Sequence, residues 1–220
     1  LSSSFKLNKD VFGFPIQWIP KNPRWQNYVD IWTQIPLLTF VKNTVKITVV
    51  VTLLQLFTSS FAAYAFAKMQ FKGKNALFLG YIATIAVPWQ AYMVPQFMMM
   101  SSWHLNNTHL AIMCLQAFSA FGVFLMKQFY EGVPTELCEA ARIDGLSEYG
   151  IWWHIMLPLS LPALSTLTIF TFVNTWNDFL GPLIYLTKTE LKTIQIGLRM
   201  FITQYSAEYG LIMAASVVAL

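Results

Sequence analysis

The chain has 220 residues, of which 56% are hydrophobic and only 11% charged, where a soluble domain averages about 25% charged residues. That balance excludes an ordinary soluble domain and makes an integral membrane protein the default class. The formal net charge of +4 is spread without a run of like charges, so nothing in it points to nucleic acid, and the partner it implies is a lipid bilayer.

Residues 5–36 mix aromatics with prolines, as in Phe12-Gly13-Phe14-Pro15 and Trp18-Ile19-Pro20. That texture predicts an irregular surface segment, either an aromatic belt at the membrane interface or a surface for a partner. Four apolar stretches then reach the roughly 20 residues that a helical span requires: 44–66, 76–99, 110–129 and 161–185. Pro88 and Pro95 lie in the second and predict kinks there. A fifth stretch starts near Leu211 and stops at Leu220, and the chain opens at Leu1 with no signal-peptide pattern. Segments missing at both ends are therefore expected.

Alternation of the spans puts the 68–74 turn on one side with the 130–160 loop, and the N-terminal segment, the 101–109 turn and the 187–209 loop on the other. Cationic residues do not orient them, since Lys68, Lys72, Lys74, Lys127 and Arg142 face Lys42, Lys46, Lys188, Lys192 and Arg199.

The 130–160 loop is the exception in this lipid-seeking chain. Pro134, Thr135, Glu136 and Glu139 read as a helix start, Gly145 as its stop, and Ser147 as the cap of a second helix reaching about Met156. Leu137, Ala140, Ala141 and Ile143 offer a low-relief apolar face too small for a core of its own. By residue physics alone it fits either a groove in another protein or the lipid headgroups, with Trp152 and Trp153 as anchors.

Glu139, Ala140, Ala141 and Gly145, followed by Ile155, Leu157 and Pro158, resemble the EAA loop of bacterial ABC importer membrane subunits. Phe61-Ala62-Ala63-Tyr64, Val87-Pro88-Trp89-Gln90 and Trp176-Asn177-Asp178-Phe179 are similar to the carbohydrate branch, in particular the second permease of maltose-type systems. The resemblance implies an all-α integral membrane protein: a multi-span helix bundle of the ABC type I importer fold, one permease domain over 1–220, multi-pass in the bacterial inner membrane. The 130–160 loop would be cytoplasmic and carry a coupling helix, and 187–209 would be extracytoplasmic. Implied partners are a homologous permease, an ABC ATPase dimer, an extracytoplasmic solute-binding protein and a carbohydrate.

Within that resemblance, Glu139, Ala140, Ala141, Arg142, Asp144 and Gly145 are the ATPase-coupling candidates. Glu139 would pair with a base on the ATPase, while Arg142 and Asp144 would make rim or intraloop contacts. Asn174, Asn177 and Asp178 are polar residues in an apolar stretch, expected as hydrogen-bond glue between helices or as a solute path. Gln195 and Arg199, with Gln204, lie in a loop that would reach the binding protein or simply connect spans. No phosphate-cradling G-x-x-x-x-G-K-S/T is present, so ATP and Mg are expected on the ATPase, with no cofactor in this chain and no enzymatic activity of its own. His104, His109 and His154 lack metal spacing, as do Cys114 and Cys138. A secondary transporter needing no ATPase is the rival reading; it would require more ionisable groups in the membrane than Lys46 and Asp178.

Overall fold

The computed structural model describes residues 1–15, 17–202 and 208–220, and every regular element among them is a helix. It comprises two compact units, one of Leu1–Lys46, Asn107–His109 and Asn177–Leu220, the other of Ile47–Asn106 and Leu110–Trp176.

The larger unit holds most of the apolar helices. Helix Leu37–Lys68 runs for 32 residues, roughly 48 Å at 1.5 Å per residue, more than a bilayer core is thick. Its Leu53, Phe57 and Phe61 are exposed while Val51, Ala63 and Tyr64 are buried, a division that suits acyl chains on one face and packing on the other. The third expected span is present as His109–Glu131, long and apolar enough to cross a membrane. Within it, helices His109–Gln116 and Ala120–Glu131 are separated at residues 117–119.

The expected second span is not one gently kinked helix. Helices Lys74–Ala86 and Trp89–Ser102 meet at 102°, because Pro88 drives Val87 into an extended conformation, φ −86°, ψ 112°. Pro95, by contrast, stays inside helix Trp89–Ser102. The fourth expected span also differs: Leu161–Trp176 ends before Asn177, and the stretch Glu148–Leu159 meets it at 81°.

A single core unites these parts. Tyr64, Val123, Met126, Tyr130, Trp152, Met156, Leu164 and Leu167 from the spans and their approaches bury together with Cys138, Ala141 and Ile151 of the 130–160 loop. At its tightest point a Cβ on Gly122 would come within 2.5 Å of Ser59 Oγ and 3.2 Å of Leu167 Cδ1, so glycine is what lets the backbone of that helix approach Ser59 and Leu167.

In the smaller unit, helix Tyr209–Ala219 packs Leu211, Ala214 and Ala215 against Ile31, Ile35 and Phe40. Buried Asn27 donates to Ser4 O at 2.8 Å and Lys6 O at 3.1 Å, and Asn8 Oδ1 accepts from Gly210 N at 2.9 Å. The N-terminal segment is thus tied down by amide side chains while Phe12, Phe14, Trp18 and Trp25 remain exposed.

Candidate functional site

The 130–160 loop folds from local signals. Helix Glu136–Ile143 begins with acidic residues in its first turn, where the helix dipole favours them. Thr135 does not cap with its side chain; it already has helical angles and its carbonyl accepts from Cys138 N and Glu139 N. The end is a Schellman turn: Leu146 N donates to Ala141 O and Gly145 N to Arg142 O, both at 3.0 Å, with Gly145 at φ +87°. Ser147 Oγ then accepts from Gly150 N at 3.2 Å and caps the second helix, which continues through a π-helical turn over Trp152–Met156.

The two faces of helix Glu136–Ile143 differ. Glu136, Leu137, Glu139, Ala140, Ile143 and Asp144 are exposed, Ile143 to 86%, whereas Cys138 and Ala141 are buried. Ala141 therefore does not share the outward apolar face expected for it, because a period of 3.6 places it beside Cys138 on the inward side. Cys138 Sγ lies 3.8 Å from Met156 Sδ, and burial pushes the Cys138 thiol up from its ordinary value. Among the described residues Glu139 takes part in no ion pair.

Arg142 and Glu148 close the turn across Gly145. Arg142 Nε donates to Glu148 Oε1 at 2.6 Å and Nη2 to Oε2 at 3.2 Å, a forked pair of the strong, charge-assisted kind. Glu148 Oε2 also accepts from the hydroxyl of Tyr64, on helix Leu37–Lys68. The Arg142 hydrogen bonds hold the Glu148 carboxyl below the usual carboxylate range, and raise Arg142 correspondingly. Lys68, at the end of the same long helix, donates to Val133 O at 2.5 Å. Sequence reasoning missed Glu148, Tyr64 and Lys68 as site residues; the one available signal was a carboxylate six residues past Arg142 across a glycine turn.

The polar residues assigned to a span divide. Asn174 lies exposed on helix Leu161–Trp176. In the smaller unit Asn177 and Asp178 sit between helices, and Asp178 Oδ1 accepts from Gly181 N at 3.1 Å, at the start of helix Leu180–Tyr185. That Asp178 bond caps its own turn, and residues not singled out beforehand bond from one helix to another. Gln55 Nε2 donates to Gln116 O at 2.7 Å, Thr171 Oγ1 to Gln55 Oε1 at 2.9 Å, Thr58 Oγ1 to Ala117 O at 2.7 Å, and Thr175 Oγ1 to Gln116 Oε1 at 3.3 Å.

Two expectations about separate sites meet in one place. Gln195 Nε2 donates to Asn177 Oδ1 at 3.3 Å, and the Arg199 guanidinium lies 5.5 Å from the centre of the Phe179 ring, so helix Ile194–Met200 leans on the 177–179 segment. Asn107 Oδ1 collects Thr187 N, Thr187 Oγ1 and Lys188 N at 2.7, 2.6 and 3.2 Å. Gln204 lies outside the described residues. Among the described residues no cluster of three His, Cys, Asp or Glu side chains is placed to hold a metal ion.

A family described as binding-protein-dependent transport system inner membrane component matches residues 26–220. The arabinooligosaccharides transport system permease protein AraQ of Halalkalibacterium halodurans is 36% identical, over 99% of this chain and 79% of that protein. The lactose transport system permease protein LacG of Rhizobium radiobacter is 35% identical, over 89% and 71%. A crystal structure of a bacterial ABC transporter involved in the import of the acidic polysaccharide alginate superposes with a TM-score of 0.88 at 23% identity, over 99% of this chain and 82% of that one. That likeness establishes the fold.

Proposed function

The chain belongs to the family of binding-protein-dependent transport system inner membrane components, and from that premise we propose that it moves a carbohydrate, an oligosaccharide, through the bacterial inner membrane as one permease of an ATP-driven importer. It is a transport permease subunit, not an enzyme. ATP and Mg sit on a separate ABC ATPase dimer; a homologous permease completes the pathway, and an extracytoplasmic binding protein delivers the solute. The permease names of its relatives, AraQ and LacG, support the carbohydrate.

The observation that carries the coupling role is the two-faced helix Glu136–Ile143. Glu139, Ala140 and Ile143 stand outward, and the opposite face, Cys138 and Ala141, is rooted in the core that holds the spans. A groove on the ATPase receives the outward face on the cytoplasmic side, Glu139 meets a basic group there, and Gly145 allows the tight return. ATP binding draws the ATPases together and turns this helix. Differential affinity of ATP for the two arrangements, a few kcal/mol, is all that alternating access requires. Asn174, Asn177 and Asp178 remain candidates for the solute path, and Gln195 and Arg199 for the contact with the binding protein.

Purification through a tag on this chain from its native membrane, followed by mass spectrometry, tests the assembly. An ATPase, a second permease and a binding protein are expected together; the chain alone would return the secondary-transporter reading to the front. Within the complex, Glu139→Lys is expected to leave the subunit inserted and ATP hydrolysis running while uptake of arabinooligosaccharides falls at least about tenfold, the cost of one lost charged contact. Near-normal uptake refutes the role of Glu139.

A further inference from the structure

Resting on the coupling reading above, we propose that Glu148 is a positioning residue: its carboxylate, shared between Arg142 of the coupling helix and Tyr64 of the long membrane helix, clamps the two so that they move as one body.

A coupling helix that merely touched the ATPase would transmit nothing; it must also be fastened to what moves. Cys138 and Ala141 pack it into the core, but apolar contacts slide, whereas a forked ion pair fixes direction as well as distance. Arg142 Nε and Nη2 each take one Glu148 oxygen, at 2.6 and 3.2 Å, which spans the Gly145 turn and sets the angle between its two arms. The Tyr64 hydroxyl on Glu148 Oε2 then ties that turn to a residue with 2% exposure, in the core-facing stripe of helix Leu37–Lys68. One turn further along the same helix, Lys68 Nζ holds Val133 O at 2.5 Å, which anchors the loop where it begins. The loop is thus fastened to a single long helix at two points, Val133 and Glu148, with the coupling helix between them. No other carboxylate forms an ion pair with Arg142 among the described residues.

The test uses the full complex with its ATPase and needs no solute. Spin labels at Ile143, exposed on the coupling helix, and Leu53, exposed on helix Leu37–Lys68, report their separation by pulsed electron resonance after exposed Cys114 is replaced by Ser; Cys138 is buried. In the wild-type sequence the distance is expected to change by less than about 2 Å between the nucleotide-free and ATP-trapped states, the scale of a rigid pair. In Glu148→Gln, which loses the charge but keeps the side chain's size, it is expected to shift or broaden by about 5 Å, one helical turn. Tyr64→Phe deletes only the hydroxyl and is expected to give a smaller broadening with the same amount of assembled complex. Exchanging the charges, Arg142→Glu with Glu148→Arg, is expected to narrow the distribution again.

An unchanged Glu148→Gln distribution overturns the clamp, as does a wild-type distance that shifts by a full turn on ATP binding. Loss of assembly in both Glu148→Gln and Tyr64→Phe also overturns it, since the network would then only hold the fold. Absence of any ATPase from the wild-type complex sinks the coupling reading itself, a result separate from all of these.

Discussion

Two of the interruptions in the helices of the larger unit are repaired in opposite ways. At Gly145, in the 130–160 loop, the repair is local: a Schellman turn, a serine cap three residues upstream of the N–H it accepts, and an ion pair spanning six residues. At residues 117–119, within a stretch long and apolar enough to cross a membrane, the carbonyls of Gln116 and Ala117 are met by Gln55 and Thr58, about sixty residues away. The C-terminal side of that break, where helix Ala120–Glu131 begins, is closed locally, with Ser119 Oγ accepting from Gly122 N at 3.0 Å. The difference follows from the solvent. Water completes any hydrogen bond that a turn outside the lipid leaves open, but hydrocarbon does not, so a break in a span is tolerated only where neighbouring helices supply donors.

Gln55→Ala should have the largest effect on this contrast, because it removes at one stroke the helix-to-helix bonds to Gln116 O and from the Thr171 hydroxyl. A loss of about 2 kcal/mol is expected, read as a drop in the thermal midpoint of the detergent-solubilised complex. A loss near zero would show that the 117–119 break is self-sufficient. Gly145→Ala comes next, at about 1 kcal/mol. Nothing lies within 4 Å of a Cβ there, so the cost is the φ of +87° alone, and Gly145→Asn should recover part of it. Equal losses for Ala and Asn would point to a steric cause instead.

The smallest effect is the pH dependence of the Arg142–Glu148 pair. Hydrogen bonding from Arg142 lowers the folded-state value of Glu148, so its contribution is complete above the ordinary carboxylate range and is lost as pH falls from that range through the lowered value. Both side chains are more than a third exposed or nearly so, 35% and 39%, so screening keeps the contribution slight. Thermal midpoints taken from pH 7 down to pH 3 should show a decline that Glu148→Gln makes shallower; identical slopes would remove the pair from the account.

The same contrast explains what could be read in advance. Gly145 and Ser147 announce a turn and a cap because each acts within a few residues of itself, and the motif from Glu139 to Pro158 was legible for that reason. The existence of four apolar passages was legible from hydrophobic length. The 102° bend at Pro88 was visible only as a kink, since proline dictates the conformation of Val87 but not the angle that packing then selects. Asp178 was judged by its apolar neighbours and expected to act across helices or toward a solute; the cap it gives Gly181, three residues on, is a local role that its neighbours do not announce. Gln55 and Gln116 passed unnoticed because a glutamine in an apolar run carries no sign of which distant carbonyl it serves. Glu148 escaped for the same reason: Arg142 is its near partner, but Tyr64 is 84 residues away.

Gly122 carries its own lesson about divergence. Every replacement of that glycine adds a carbon that would stand 2.5 Å from Ser59 Oγ, and that hydroxyl, buried and with no hydrogen-bond partner among the described residues, has little to lose by disappearing. Lineages of this chain therefore have an order of change open to them: Ser59 shrinks to alanine first, at little cost, which leaves an alanine at 122 only the contacts with Ser59 Cβ and Leu167 Cδ1, at 3.1 and 3.2 Å, to relieve by a small shift. The two positions should drift as a pair, the larger residue at one admitted only by the smaller at the other, and a deep mutational scan in the Ser59→Ala background should find alanine at 122 where the parent sequence rejects it.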